Sequence, residues 1–402
     1  MLELLFLLLP IAAAYGWYMG HRSAKKDQED VSNKLSRDYV TGVNFLLSNQ
    51  TDKAVDLFLD MLQKQEAENE IESNSQFEAE LTLGNLFRSR GEVDRALRIH
   101  QNLDRSQHYS FEQKLLAKQQ LAKDFMAMGF FDRAESIYIM LVDEPDFAES
   151  ALQQLAVIYQ KTKDWKKAIN VAEKLAKIAP REDNIELAQY YCEYAKALHK
   201  ENKDTKEQQP KALLKQALHV SPRCVRASIL LGDILIKEQH YQEAIVVLEN
   251  VLAQDATYLG EVVTRLKDCY HHLDQLDNFE IFLIRANQEC QYNSTVALAL
   301  ADLIEEKHGR AAAQNKIYQQ LTHNPSLFLF HRFVEYQVEE AEDGRGKESL
   351  ILLRNLVGER IKRNFDYRCS KCGYQSHKLI WCCPSCRQWE TIKPIRGIES
   401  QI

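Results

Sequence analysis

The chain has 402 residues, of which 45% are hydrophobic and 27% are charged, a composition typical of a folded protein. Only 14 glycines and 8 prolines are present, which favours helices over a turn-rich β protein. The formal net charge of -7 excludes a protein that binds nucleic acid through the charge of the whole chain. The length allows two or three domains, or one extended repeat array.

The first 20 residues form an apolar run in which Glu3 is the only charged side chain. A run of about 20 apolar residues spans the hydrocarbon core of a bilayer. Basic residues follow the run directly and none precedes it, which argues against a cleaved signal peptide and for a cytoplasmic C-terminal side. The sequence therefore predicts a transmembrane anchor over residues 1–20, a juxtamembrane linker over 21–37, and a single-pass protein whose bulk lies on the cytoplasmic side.

Residues 38–325 repeat a pattern of small and large side chains. In each unit a small residue is followed by a larger apolar residue, then by Ala, then by another large residue. This spacing is typical of tetratricopeptide repeats, whose small residues let two helices approach and whose large ones fill the groove between hairpins. The pattern predicts an all-α tetratricopeptide superhelix. The matching residues are Gly42, Phe45, Ala54 and Phe58; Gly84, Phe87, Gly91 and Ala96; Ala122, Phe125, Gly129, Ala134 and Tyr138; Ala156, Tyr159, Ala168 and Pro180; Gly232, Leu235, Ala244 and Leu248; and Ala301, Ile304, Ala313, Ile317 and Pro325.

Two parts of this region match the pattern poorly, residues 185–222 and 260–292. After Pro325 two more helices are predicted, and we interpret residues 326–363 as capping helices of the array. The aromatic residues of the repeats are interpreted as core rather than ligand contacts. No partner-binding residues are assigned in the groove.

Two C-x-x-C pairs near the end of the chain are its strongest chemical signal. Cys369 and Cys372 form one pair, and Cys383 and Cys386 form the other, ten residues further on. Pairs at this separation can surround one metal ion with four thiolates, whereas disulfides or incidental thiols are the alternatives. We predict a rubredoxin-like or zinc-ribbon module over residues 364–397, with tight turns that aim backbone amides at sulfur.

Cys382 adjoins the second pair and competes with Cys383 as the ligand. Only Cys383 gives the C-P-x-C spacing, so Cys382 is predicted to be a spare thiol. The remaining cysteines occur singly within helical patterns, which suits a reducing compartment and small buried core residues. These are Cys192, Cys224, Cys269 and Cys290.

The module is also rich in basic and aromatic residues. Between residues 360 and 396 the chain carries nine Lys or Arg residues against two acids. Part of this excess of positive charge would neutralise the negative charge of a tetrathiolate site. The rest could bind an acidic protein partner, the membrane surface or RNA. A protein partner, or packing against the repeats, is the favoured interpretation. Trp381, Trp389 and Tyr367 are predicted to shield the metal from water.

No catalytic constellation is found. The sequence contains no H-E-x-x-H, no G-x-S-x-G and no complete phosphate loop. A four-thiolate site is coordinatively closed and offers no position for substrate. We therefore predict a protein that is not an enzyme, with no catalytic residues, no organic cofactor and no small-molecule substrate.

Three stretches resemble the lipopolysaccharide assembly protein B (LapB, also YciM) family nearly residue for residue. They are MLELLFLLLPIAAAYGWYMG, LSRDYVTGVNFLLSNQTDKAVDLFLDML and CPSCRQWETIKPIRG. The resemblance implies a bacterial inner-membrane adaptor that regulates lipopolysaccharide synthesis by promoting proteolysis of the deacetylase LpxC by the protease FtsH. Other lipopolysaccharide assembly proteins are implied partners. It also implies that Cys369, Cys372, Cys383 and Cys386 bind iron, with zinc as the alternative.

Two further functional hypotheses remain open at this point. One is an iron redox protein of the rubredoxin type, although no flavin or nucleotide site accompanies the cysteines. The other is an RNA-binding ribbon carried on a repeat scaffold, which the acidic net charge of the chain disfavours.

Overall fold

The computed structural model describes residues 37–48, 50–68, 74–180, 183–201, 208–289 and 293–395. These residues are helical apart from a small three-stranded sheet close to the C-terminus. The predicted all-α repeat protein with a small C-terminal cysteine module is confirmed for this part of the chain. The chain divides into two compact units, residues 1–162 and residues 163–402.

The first unit contains seven described helices. From the second helix to the seventh, each helix packs against the next one along the chain. Helix α5 shows how the sequence sets their ends. Ser110 and Gln113 form a reciprocal capping box at its start, and Gly129 ends it in the left-handed conformation with φ 80°. The helices are α1 (37–47), α2 (Thr51–Glu68), α3 (Asn74–Ser89), α4 (Val93–Arg105), α5 (Phe111–Met128), α6 (Phe131–Val142) and α7 (Pro145–Thr162).

The second unit continues the hairpins and ends in a small ribbon. Its sheet is antiparallel in the order β2-β1-β3. Its elements are α8 (Trp165–Ile178), α9 (Ile185–Glu201), α10 (Gln208–Val220), α11 (Val225–Lys237), α12 (Tyr241–Glu249), α13 (Val251–Asp255), a 3-10 turn (Ala256–Tyr258), α14 (Leu259–His272), α15 (Leu276–Glu289), α16 (Ser294–His308), α17 (Arg310–His323), α18 (Leu327–Glu340), α19 (Arg345–Arg363), β1 (Tyr367–Cys369), β2 (Gln375–Ser376) and β3 (Ile392–Pro394).

The small and large residues of the repeat pattern meet as predicted. A Cβ atom added at Gly42 would lie 2.6 Å from the ring of Phe58, and one added at Gly232 would lie 2.5 Å from Leu248. Phe58 and Leu248 are fully buried. Because any side chain on these glycines would collide with a buried neighbour, glycine is what lets each hairpin close.

His100 lies four residues after Ala96, at the large position of the second repeat, for which the sequence analysis named no residue. It is fully buried, its ring covers Gly84, and its Nδ1 lies 2.5 Å from Oδ2 of Asp124. Arg88 binds the other oxygen of the same carboxylate at 2.9 Å. A buried carboxylate is tolerated here because two basic side chains hold it.

Both poorly matching stretches prove to be helical hairpins. Helices α9 and α10 pack together, as do α14 and α15. The charged stretch between α9 and α10, residues 202–207, lies outside the described residues. Before the second pair, α13 and the 3-10 turn intervene between α12 and α14. This insertion shifts the spacing of the small and large residues, which is why the repeat pattern fades over residues 260–292.

The predicted single-pass inner-membrane location must be corrected. Among the described residues no helix is both long enough and apolar enough to cross a bilayer. The longest of them, α19, carries charged side chains along its length. The predicted anchor over residues 1–20 lies outside the described residues.

Replacement of Gly232 by Ala should lower the free energy of unfolding by about 1–3 kcal/mol, because the new methyl group overpacks Leu248. Gly346→Ala is the matched control, since Gly346 lies in α19 with open space around it. That change should stabilise the helix by about 0.5–1 kcal/mol. Thermal unfolding of the two variants measures both effects. A Gly232→Ala protein as stable as the wild type would contradict the packing described here.

Candidate metal centre

The two cysteine pairs sit in two turns of the same construction. In the first, the amide of Gly373 donates to the carbonyl of Cys369 at 3.0 Å, and in the second the amide of Arg387 donates to the carbonyl of Cys383 at 2.8 Å. Gly373 and Arg387 both adopt the left-handed conformation, with φ 76° and 57°. Glycine accepts this conformation freely, whereas Arg387 adopts it at a cost.

A second hydrogen bond closes each turn. The amide of Cys369 donates to the carbonyl of Tyr374 at 2.7 Å, and the amide of Cys383 donates to that of Gln388 at 2.9 Å. The two turns are therefore equivalent in their backbone hydrogen bonds as well as in their cysteine spacing. This is the arrangement that the C-x-x-C spacing predicts.

The four sulfur atoms converge on one point. All lie within 4.8 Å of one another, with Cys369 and Cys386 3.7 Å apart and Cys372 and Cys383 3.6 Å apart. Four thiolates around a tetrahedral ion with bonds of about 2.3 Å stand about 3.8 Å apart. The cysteines cluster as a metal-binding site, and their spacing fits an ion of this size.

The protein favours ionisation of one of the buried thiols. Burial opposes the charged form of Cys369, but its contact with the Thr391 hydroxyl and the amides of Lys371 and Cys372 outweigh burial and lower its pKa to about 6. Cys383 is different, because burial dominates and raises its pKa to about 12. A bound cation would supply the charge needed to hold all four sulfurs as thiolates.

Cys382 does not join the cluster. Its sulfur donates to the carbonyl of Arg387 at 3.5 Å, and its backbone forms an isolated bridge with Trp389. Cys369 and Cys383 are buried together with Ile392 and form the small core of the ribbon, while Cys372 is exposed. Among the single cysteines, Cys192, Cys224 and Cys269 are fully buried, as predicted; Cys290 lies outside the described residues.

The ribbon packs against the helices of the second unit through its tryptophans. Trp381 stacks on Tyr258 with ring centroids 5.3 Å apart, and Trp389 meets Tyr190 edge-on at 6.2 Å. The guanidinium of Arg226 lies 5.9 Å from the Trp389 ring. These tryptophans join the ribbon to the repeats, a role that the sequence prediction of metal shielding missed.

Polar contacts reinforce this interface. Gln189 on α9 donates to Glu390 at 2.7 Å, and Arg226 on α11 donates to Gln189 at 2.9 Å and to Glu193 at 2.7 Å. Gln189 and Arg226 are almost wholly buried. Burial raises the pKa of Glu390, and the hydrogen bond from Gln189, which lowers the pKa, only partly offsets this effect. The Tyr258 hydroxyl donates to the carbonyl of Ile392 at 2.8 Å.

One ion pair and one charged hydrogen bond complete the interface. Lys393 binds Asp255 at 2.6 Å, and the Tyr367 hydroxyl donates to Glu261 at 2.8 Å. Burial of Asp255 opposes its ionisation, but the hydrogen bonds from Lys393 and Thr257 and the charge of Lys393 together outweigh burial and lower the pKa of Asp255. Lys393 thus packs against the repeats, as one part of the favoured interpretation expects, and a protein partner for the other basic residues stays a prediction. Four other basic residues of the ribbon are exposed and form no ion pair within the described residues, namely Arg368, Lys371, Lys378 and Arg387.

The repeat side of the interface was not found from the sequence. Four repeat residues lie more than a hundred positions from their ribbon partners, and no local spacing marks them. They are Gln189, Arg226, Tyr258 and Asp255. The one available signal was the poor repeat match of residues 185–222, which contain Gln189. A buried Arg and Gln in an otherwise apolar helix face point to a specific polar contact.

Replacing Trp389 with Ala should loosen the ribbon from the helices, since truncation of a large packed aromatic costs on the order of 3 kcal/mol. Hydrogen exchange of residues 367–394 should then be markedly faster. Tyr374→Ala is the matched control, because it also truncates an aromatic side chain of the ribbon, and that ring is 37% exposed. Equal exchange rates in the two variants would contradict the interface.

Comparison with known proteins agrees with the fold and the site. Residues 367–394 match the family model described as "Rubredoxin metal binding domain", and residues 151–186 match "Tetratricopeptide repeat". The lipopolysaccharide assembly protein B of Haemophilus influenzae is 71% identical over 399 residues, which cover 99% of this chain and all of that one. The protein of the same name from Escherichia coli K12 is 49% identical with the same coverage.

Among solved structures, a tetratricopeptide repeat protein from Parabacteroides merdae aligns with 81% of this chain and 98% of its own, at 10% identity and a TM-score of 0.36. That score is too low to bear on how the repeats are arranged. The sequence identities carry the assignment, and the chain belongs to the lipopolysaccharide assembly protein B family.

Proposed function

We propose that this protein is a non-catalytic adaptor that regulates lipopolysaccharide synthesis by promoting proteolysis of LpxC by FtsH. The observation that carries the proposal is 71% identity, over almost the whole chain, to a protein named for lipopolysaccharide assembly. The tetratricopeptide hairpins and the ribbon supply the surfaces on which the deacetylase, the protease and other assembly proteins would dock.

The chemistry of the site supports an adaptor rather than an enzyme. Four thiolates fill a tetrahedral ion, so no position is left for substrate or water. We propose Cys369, Cys372, Cys383 and Cys386 as the ligands of one ion. We also propose iron as that ion, with zinc as the alternative. The ribbon core is so small that the metal would supply much of its folding free energy.

The boundaries of the parts follow from the same proposal. We assign residues 38–325 to the repeat array, 326–363 to capping helices and 364–397 to the metal module. The match of residues 367–394 to a metal-binding family supports the last boundary. Helices α18 and α19 fill the capping segment.

A redox role is the second candidate, and one observation favours it. Cys372 is exposed, so an electron-transfer partner could approach the ion through its sulfur. Replacement of iron by zinc separates the two functions, because zinc has no redox chemistry. Full regulatory activity of the zinc form would exclude electron transfer as the function.

Each of the changes Cys369→Ser, Cys372→Ser, Cys383→Ser and Cys386→Ser should reduce bound metal well below one ion per chain, because a three-thiolate site holds the ion weakly. Elemental analysis of the purified protein measures the metal, and visible absorption distinguishes iron from zinc. Cys382→Ser is the control and should retain a full ion. Equal loss in all five variants would show that the ligand set is misassigned.

The regulatory role can be tested in Escherichia coli cells depleted of their own 49% identical relative. Expression of this chain should shorten the half-life of LpxC, measured by immunoblot after protein synthesis is stopped. The Cys383→Ser variant should restore turnover poorly, whereas Cys382→Ser should restore it fully. An LpxC half-life that does not respond to the wild-type chain would overturn the proposed function.

A further inference from the structure

A cleft of about 250 Å³ opens between α9, α10 and α11 in the second unit. None of its lining residues belongs to the ribbon, so it is distinct from the metal centre. Most of its wall is apolar, which means that water in the cleft is poorly held and an apolar group would replace it favourably. The apolar wall is formed by Ala195, Leu214, Leu230 and Ile234.

Three basic side chains line the same cleft. They are Lys196, His199 and Lys237, and Nζ of Lys237 lies 2.9 Å from Nε2 of His199. Since an ammonium group can only donate, the imidazole nitrogen is the acceptor in this arrangement. The one acidic lining residue, Asp233, is already bound by Arg265 at 2.6 Å. Within the part of the chain that the structure describes, neither lysine forms an ion pair.

The cleft lies beside the ribbon interface on the same helix faces. On α9, Lys196 follows Gln189 by two turns, and on α11, Lys237 follows Arg226 by three turns. Residues spaced by seven or eleven positions share one side of a helix. The ribbon therefore covers one end of this face and leaves the cleft open at the other.

The apolar walls and the two lysines together favour a ligand that carries both an apolar group and a negatively charged group. Small-molecule pockets usually begin near 300 Å³, so this cleft holds about one large side chain rather than a long acyl chain. Stacked repeats commonly present such faces to extended protein segments. These features favour a peptide over a lipid.

We infer that the cleft binds an extended acidic segment of a protein partner, with a leucine-sized side chain in the cleft and flanking carboxylates on Lys196 and Lys237. This inference rests on the proposed function in taking the partner to be a protein. Apolar burial supplies the affinity, and the two lysines supply orientation and selectivity against basic segments.

The test uses purified full-length protein and a fluorescein-labelled peptide in which one leucine is flanked by glutamates. Fluorescence anisotropy measures its binding. The double variant Lys196→Glu, Lys237→Glu should bind about tenfold more weakly, because attraction becomes like-charge repulsion. The control Lys174→Glu, Lys215→Glu makes the same change of net charge at exposed lysines outside the cleft and should bind as the wild type does.

Changes in the peptide test the apolar part without altering the protein. Alanine in place of the leucine should weaken binding, and lysines in place of the glutamates should abolish it. Equal binding of the glutamate peptide by the two double variants would overturn the inference. So would equal binding of the glutamate peptide and the lysine peptide by the wild-type protein. So would binding of decanoate in the cleft without binding of the peptide, since the site would then be one for lipids.

The binding assay contains neither LpxC nor FtsH. Failure of the peptide to bind therefore overturns this inference and leaves the proposed function standing. An unresponsive LpxC half-life in cells bears on the proposed function alone.

Discussion

Convergence of four cysteine sulfurs is the constraint on which the C-terminal part of the structure depends. The ribbon has three very short strands, and its fully buried core consists of Cys369, Cys383 and Ile392. Such a core removes too little apolar surface from water to offset the entropy of ordering nearly thirty residues. The two equivalent turns place the sulfurs at the separation of a tetrahedral site, so an ion can replace the missing core. A bound ion would therefore stabilise the ribbon, and with it the contacts that the ribbon makes with the repeat helices.

What the ribbon contacts is a set of buried polar side chains on the repeat helices. Arg226 and Gln189 are almost wholly buried, and their partners include Glu390 of the ribbon and its Trp389 ring. Removal of the ribbon would leave these groups without part of their hydrogen bonding, which is costly for buried polar atoms. The interface therefore links the folding of the metal module to the conformation of α9 and α11. A four-thiolate site can in this way influence a protein surface without taking part in any reaction.

The features of the fold and the site that could be predicted are those marked by residues close together in the sequence. The cysteine spacing identified the residues that the structure brings together, because a turn of fixed geometry needs a fixed number of residues. The pairs of small and large residues, such as Gly232 with Leu248, were also found because they recur at constant spacing. The ribbon interface was not found, since Tyr258 and Trp381 meet across more than a hundred residues. His100 was missed because nothing in the sequence pattern marks a polar side chain at the large position, and its partner Asp124 lies on the next hairpin.

The contacts along α9 and α11 place the ribbon and the cleft on the same two helices. Gln189 of α9 and Arg226 of α11 contact the ribbon, and Lys196 and Lys237 lie further along the same two helices at the cleft. A change in the separation of the two helices at the ribbon end would be transmitted along rigid helices to the cleft. The apolar wall of the cleft depends on the same separation, because it is built from residues of both helices and of α10 between them. Metal binding and recognition of an acidic segment would then be coupled through helix packing, with no moving loop required.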